Sequence, residues 1–151
     1  MIYKLYKIER FFYNIKLTFI AIIIRAIIRV IFSCDIPYKA EIGEGTSFPH
    51  LGLGVLIHPD CIIGKNCKIL QGVTIGGKSG HKQVPIIGDN VLLGANSIII
   101  GPIKIGNNAT VGAGSVVVKD VPENATVVGN PAKEIKSKTN KEENREENKV
   151  V

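Results

Sequence analysis

Stepping by six from Ile57, the chain places aliphatic side chains at Ile57, Ile63, Ile69, Ile75, Ile87, Leu93, Ile99, Ile105, Val111 and Val117, and His81 is the one exception among these eleven positions. The next position is often glycine, as at Gly64, Gly76, Gly88, Gly94, Gly106 and Gly112. The residue four after each aliphatic is mostly small or β-branched, as at Cys61, Cys67, Val73, Val91, Ser97, Ala109 and Ser115. Ile42-Gly43 opens the series earlier, with Thr46 four residues on. A strand repeats every two residues and a helix every 3.6, and neither sustains a period of six from Ile57 to Val117. A triangular solenoid does: each flat side is a short strand of one hexad, and three sides close one coil. The aliphatic residue points into the prism, the small residue fills the corner, and Gly or Asn accepts the turn geometry. The pattern therefore predicts a mainly β protein, a parallel β-helix with a short N-terminal α-helical segment.

The period is disturbed twice. Ile42 and Ile57 stand 15 residues apart, so three residues are added around Pro49-His50-Leu51-Gly52-Leu53-Gly54. Between Ile75 and Ile87 the run Gly76-Gly77-Lys78-Ser79-Gly80-His81-Lys82-Gln83-Val84-Pro85 has the chemistry of a loop. A solenoid that breaks its own rule does so mostly for function.

The pattern also sets the domain limits. Residues 1–33 read as an amphipathic helical segment, with Lys7, Asn14, Thr18, Arg25 and Arg29 roughly on one stripe. Arg25 and Arg29 interrupt its apolar run, so no stretch is long enough to span a bilayer. Two uses are open to it: packing on its own trimer, which the pattern favours, and peripheral membrane contact. The β-helix takes residues 34–136, and 137–151 read as a disordered charged tail.

Charge changes the picture little. Residues 1–33 supply +5 of the net +6, and a near-neutral body argues against nucleic acid as a partner. Three cysteines make no disulfide framework and no metal-ligand spacing. Cys61 and Cys67 fall at the small corner position and read as packed thiols. The expected setting is cytoplasmic, with the inner face of the membrane as the variant that residues 1–33 would allow.

Of the three histidines, His50 and His81 lie in the two breaks, whereas His58 sits in a regular hexad and reads as an exposed turn residue. Here the residues carry a resemblance. The hexads resemble those of the left-handed β-helix acyltransferases. More narrowly, Asp35-Ile36-Pro37 through Pro49-His50, then Gly72-Val73-Thr74-Ile75-Gly76-Gly77, Lys78-Ser79-Gly80-His81 and Asn130-Pro131-Ala132-Lys133, resemble serine O-acetyltransferases over about residues 34–136. The resemblance implies that His50 is a general base, that Asp35 orients it, and that His81 helps to position the acceptor. It implies acetyl-CoA as co-substrate and no metal. It also implies a homotrimer, or a dimer of trimers, with acetyl-CoA in the groove between prisms. Gly76, Gly77, Ala95, Ala113, Lys119 and Lys133 would line that groove.

The chemistry needs these residue types. A hydroxyl is a poor nucleophile at neutral pH, and an imidazole, whose ordinary pKa is about 6.5, can take its proton during attack on a thioester. A carboxylate on the other ring nitrogen fixes the tautomer. The expected reaction is direct acetyl transfer from acetyl-CoA to the hydroxyl of L-serine. Pro49 and Gly80 stand where serine acetyltransferases often carry an aspartate and an arginine. A sugar O-acetyltransferase of surface polysaccharide synthesis is therefore the alternative. A zinc carbonic anhydrase on the same solenoid fits the histidine spacing poorly, and a non-catalytic scaffold is the remaining class.

Overall fold

The computed structural model describes residues 1–137. Two helices, α1 (Ile2–Asn14) and α2 (Thr18–Phe32), precede twelve short strands and a closing one. In chain order these are β1 (Glu41–Ile42), β2 (Leu56–Ile57), β3 (Ile62–Ile63), β4 (Lys68–Ile69), β5 (Thr74–Gly76), β6 (Ile86–Ile87) and β7 (Leu92–Leu93). There follow β8 (Ile98–Ile100), β9 (Lys104–Ile105), β10 (Thr110–Val111), β11 (Val116–Val117), β12 (Ala125–Gly129) and β13 (Ala132–Ser137).

The strands stack as three flat sheets around a prism. Sheet I runs β1-β3-β6-β9, sheet II runs β4-β7-β10-β12 and ends on β13, and sheet III runs β2-β5-β8-β11. All pairings are parallel except that of β12 with β13, an antiparallel hairpin that ends the stack. From β1 to β11 each strand is two or three residues long, because one hexad gives only one side before the chain must turn. The inward aliphatics Ile57, Ile63, Ile69, Ile75, Ile87, Leu93, Ile99, Ile105, Val111 and Val117 are all buried, as the period required. Each removes most of a side chain from water, worth roughly 1.5–3 kcal/mol.

The corners are as regular as the sides. Cys61, Cys67, Val73, Val91, Ser97, Ala109, Ser115 and Val121 are buried at the fifth hexad position. Turns from sheet I to sheet II place Asn66, Asn90, Asn108 and Asn124 in the left-handed region, φ 55–62°. There Asn90 Nδ2 donates to Asn108 Oδ1 (3.2 Å), and Asn108 Nδ2 to Asn124 Oδ1 (3.1 Å). Asparagine tolerates this conformation better than other side-chain-bearing residues, and the ladder joins one coil to the next.

Register locates the added residues. Leu56 pairs with Thr74, 18 residues on, as three hexads require. Glu41 pairs with Ile62, 21 on, which counts the three residues near His50. Thr74 pairs with Ile98, 24 on, so the coil that holds His81 carries one whole extra hexad.

The N-terminal segment differs from the expected single helix. The chain reverses at 15–17, with Lys16 at φ 66°. The reversal brings Ile24, Ile28 and Phe32 of α2 onto the same core as Ile2 and Tyr6 of α1, which one straight helix could not do. α1 is tied to the first coil: the Tyr6 hydroxyl donates to the Ala40 carbonyl (2.6 Å), and Arg10 Nη1 donates to the same oxygen (2.6 Å). The expected stripe from Lys7 to Arg29 is thus divided between two helices. The expected tail lies outside the described residues from 138 onward.

Candidate active site

The three added residues near His50 sit at the corner between sheets II and III. Pro49 opens a 3-10 turn in which His50 (φ 53°) and Leu51 (φ 58°) both adopt the left-handed conformation. That conformation costs a non-glycine residue about 1–2 kcal/mol, and such strain collects at functional sites. Main-chain bonds hold the excursion: Leu53 N–H donates to His50 O (3.2 Å), and Gly72 N–H of the next coil donates to Leu53 O (2.8 Å). His50 is exposed, and its imidazole has no hydrogen-bond partner among the described residues.

Asp35 opens sheet III, bridging to Leu56. Its carboxylate does not meet His50. Arg25 Nε donates to Oδ1 (2.8 Å), Arg25 Nη2 lies 2.7 Å from the same oxygen, and Arg29 Nη1 is 3.6 Å from Oδ2. Ser33, at φ 51°, ends α2 and turns the chain into Asp35. Arg25 and Arg29, one helical turn apart, therefore face the carboxylate. A cleft of about 320 Å3 adjoins, lined by Arg29, Asp35, Gly54 and Val55. The resemblance singles out Asp35, whereas the sequence pattern shows the two arginines as part of a polar stripe and as interruptions of an apolar run.

His81 stands at the opposite edge of sheet III, in the loop 77–85 between sheets III and I. The six-residue step placed it among the inward positions, and the structure corrects this: His81 is exposed. Six added residues preserve the phase of the flanking coils, so the hexad can leave the prism whole without disturbing Ile75 or Ile87. The loop turns back at Gly80 (φ 82°), and His81 N–H donates to Lys78 O (3.0 Å). The loop overhangs a cleft of about 670 Å3 lined by Lys78, His81, Pro102, Val118, Lys119 and Asp120. His58 lies at this edge, half-exposed, its Nδ1 accepting from Asp60 N–H (3.2 Å).

The remaining residues divide between the two edges. Gly76 ends β5 and faces open space, and Gly77 lies beside Val84 and His58. Ala95 and Ala113 occupy one hexad position at the corner of His50, a coil apart, and Gly114 N–H donates to Ala95 O (2.8 Å). Lys133 is exposed near that corner, paired with Val128 across the final hairpin. Thus His50, Ala95, Ala113 and Lys133 lie along one edge of sheet III, and Gly76, Gly77, His81 and Lys119 along the other. One chain does not bring His50 to His81.

Gln71 was missed. It holds the hexad position of Ala95 and Ala113 one coil nearer His50, and its Oε1 is buried without a partner among the described residues. The signal was a long polar side chain where the next two coils carry alanine. Cys34, Cys61 and Cys67 are buried, and burial pushes the thiol of Cys34 up to about 11 and that of Cys61 up to about 12. Thiols so held are poor nucleophiles. Among the described residues no group of three or more His, Cys, Asp or Glu side chains could hold a metal ion.

Comparison with known proteins adds to this geometry. The family described as the hexapeptide repeat of succinyl-transferase matches residues 54–79 and 85–119, a pair of segments that omits the tip of the His81 loop. The chloroplastic serine acetyltransferase 1 of Arabidopsis thaliana is 48% identical over 123 residues, covering 80% of this chain and 39% of that protein. A soybean serine acetyltransferase complexed with serine superposes with TM-score 0.83 at 40% identity, over 89% of this chain and 56% of the other. A serine acetyltransferase in complex with CoA gives TM-score 0.81 at 36% identity, over 89% and 55%. This chain thus spans little more than half of those structures and less of the plant relative.

Proposed function

The β-helix of this chain belongs to the hexapeptide-repeat acyltransferases and is of the serine acetyltransferase kind, and on that premise we propose that the protein transfers acetyl from acetyl-CoA to the hydroxyl of L-serine. The coil is left-handed, as in those structures. The observation that carries the reading is the strained, outward presentation of His50 at a corner where the next coil bears Gln71 and the two beyond it bear only small side chains at Ala95 and Ala113. An unpartnered imidazole there can take the hydroxyl proton as the oxygen attacks the thioester carbonyl. It returns that proton to the sulfur as the carbon–sulfur bond breaks. No enzyme nucleophile is required, and holding the two substrates together supplies much of the rate.

Asp35 acts behind His50. Arg25 occupies Oδ1, while Oδ2 is only loosely paired with Arg29 and is the oxygen left to accept the imidazole N–H. The residues present suit acetyl-CoA, which supplies the activated acetyl group when bound. Gly76 leaves the backbone edge open, with nothing within 4 Å of where a Cβ would stand, and the exposed Lys119 and Lys133 offer charge to phosphates. In the His81 cleft, Lys78 and Asp120 offer opposite charges to a zwitterionic acceptor.

Because His50 and His81 lie on opposite edges of sheet III, the complete site takes one edge from each of two copies. A homotrimer, in which each prism offers both edges to its neighbours, supplies three such sites. In this reading residues 34–136 carry the chemistry, and 1–33, packed on the first coil, hold Asp35 through Arg25 and Arg29.

Thiol release from acetyl-CoA is the test, measured with L-serine and with a panel of sugars. Turnover with serine that falls about a hundredfold or more in His50→Ala is expected. A sugar-only rate would move the acceptor to a glycan, the reading favoured by Pro49 and Gly80. No release with any acceptor would remove the enzyme.

A further inference from the structure

Helix α2 turns most of its circumference to solvent, and that surface is apolar. Only Ala21 and Ile28 are buried along it, whereas Phe19, Ile22, Ile23, Ile27, Val30 and Ile31 are exposed, Val30 to 82%. A groove of about 440 Å3 between Ile23, Ala26, Ile27, Val30 and Ile31 has almost no polar lining. Soluble chains rarely leave such a patch without a use.

Charge decides what covers it. Residues 1–33 hold six cations and one carboxylate, that of Glu9, which is completely buried. The outer surface of the hairpin therefore presents Lys4, Lys7 and Lys16 beside exposed Ile8, Phe11 and the face of α2, with no exposed carboxylate from 1–33. A second copy of this surface would set cation against cation as it buried the apolar face. An anionic sheet of headgroups over acyl chains meets both needs, with charge attraction at the rim and burial at the centre. At 15 residues, α2 is about 22 Å long. No helix among the described residues is long and apolar enough to cross a membrane, so contact would be in the plane of the interface.

We propose that the α1–α2 hairpin is a peripheral docking surface for an anionic lipid bilayer, with the Phe19–Ile31 face of α2 in the interface and the lysines against lipid phosphates. The proposal rests on the hairpin alone and is independent of the acyl-transfer reading.

The test is co-sedimentation of the full chain with vesicles of phosphatidylcholine containing phosphatidylglycerol, against phosphatidylcholine alone. Binding to the anionic vesicles only, weakened by salt, is expected. Val30→Asp, at a side chain that packs on little, should lower the partition about tenfold or more while leaving helicity and thiol release unchanged. Lys4→Glu with Lys7→Glu should weaken binding without touching α2. Failure of the wild type to bind anionic vesicles at low salt would overturn the proposal, as would binding indifferent to both sets of substitutions. So would a wild-type mass, by light scattering, twice that of Val30→Asp, because a second copy would then cover the face.

Discussion

Glu9 shows what a single residue can cost. Its carboxyl is completely buried, both oxygens lack hydrogen-bond partners among the described residues, and burial pushes its pKa up to about 8 against the nearby charge of Arg25. The folded pKa lies above the ordinary 4.5, so between these values the unfolded chain has released a proton that the folded chain retains. Stability must therefore fall as pH rises from about 4.5 to about 8, and level off above. Glu9→Gln should flatten that slope and raise the urea midpoint more at pH 8 than at pH 5, the gain in unfolding free energy at pH 8 being on the order of a few kcal/mol. Equal midpoint shifts at the two pH values would show that Glu9 does not titrate in this way. Arg25 links this residue to the site, since it also holds Asp35. Arg25→Ala should leave Asp35 with only the looser Arg29 contact and lower kcat more than it raises KM, read by thiol release.

Among the elements, the loop 77–85 is the one with a sharp test. It adds one hexad to its coil, so removing six residues restores the 18-residue register, whereas removing five or seven shifts every later inward position. Deletion of 78–83 joins Gly77 to Val84 and leaves Pro85 at the buried corner position. It should fold with an unchanged circular dichroism spectrum and lose acetyl transfer along with His81. A deletion of five residues in the same loop should fail to fold. If both deletions fold equally well, the register argument is wrong. This element also marks how far the sequence could be read. The period showed that something happens at His81, but an inward histidine and an excluded hexad have the same phase, and periodicity alone cannot separate them.

For the whole molecule, the proposed reading divides the site between two edges of sheet III and so makes assembly a condition of activity. His50→Ala and His81→Ala, each inactive alone, should regain activity when unfolded and refolded together, because some interfaces then pair an intact His50 edge with an intact His81 edge. Light scattering of either variant should still give three copies. Recovery no better than the sum of the two alone would place both histidines of a site in one chain and contradict the proposal.

The sequence by itself determined the phase of the solenoid, its buried residues, its corner residues and the two places where it departs from regularity. It could do so because inward position in a β-helix follows from a local rule repeated every six residues. The left-handed corners followed from Asn and Gly for the same reason. Only the tertiary structure decided the rest. It turned the His81 hexad out of the prism, reversed the N-terminal segment at Lys16, gave Asp35 to Arg25 and Arg29, and set His50 and His81 on opposite edges of one sheet. These facts depend on side chains that meet across turns and layers, where no periodic rule relates one residue to the next.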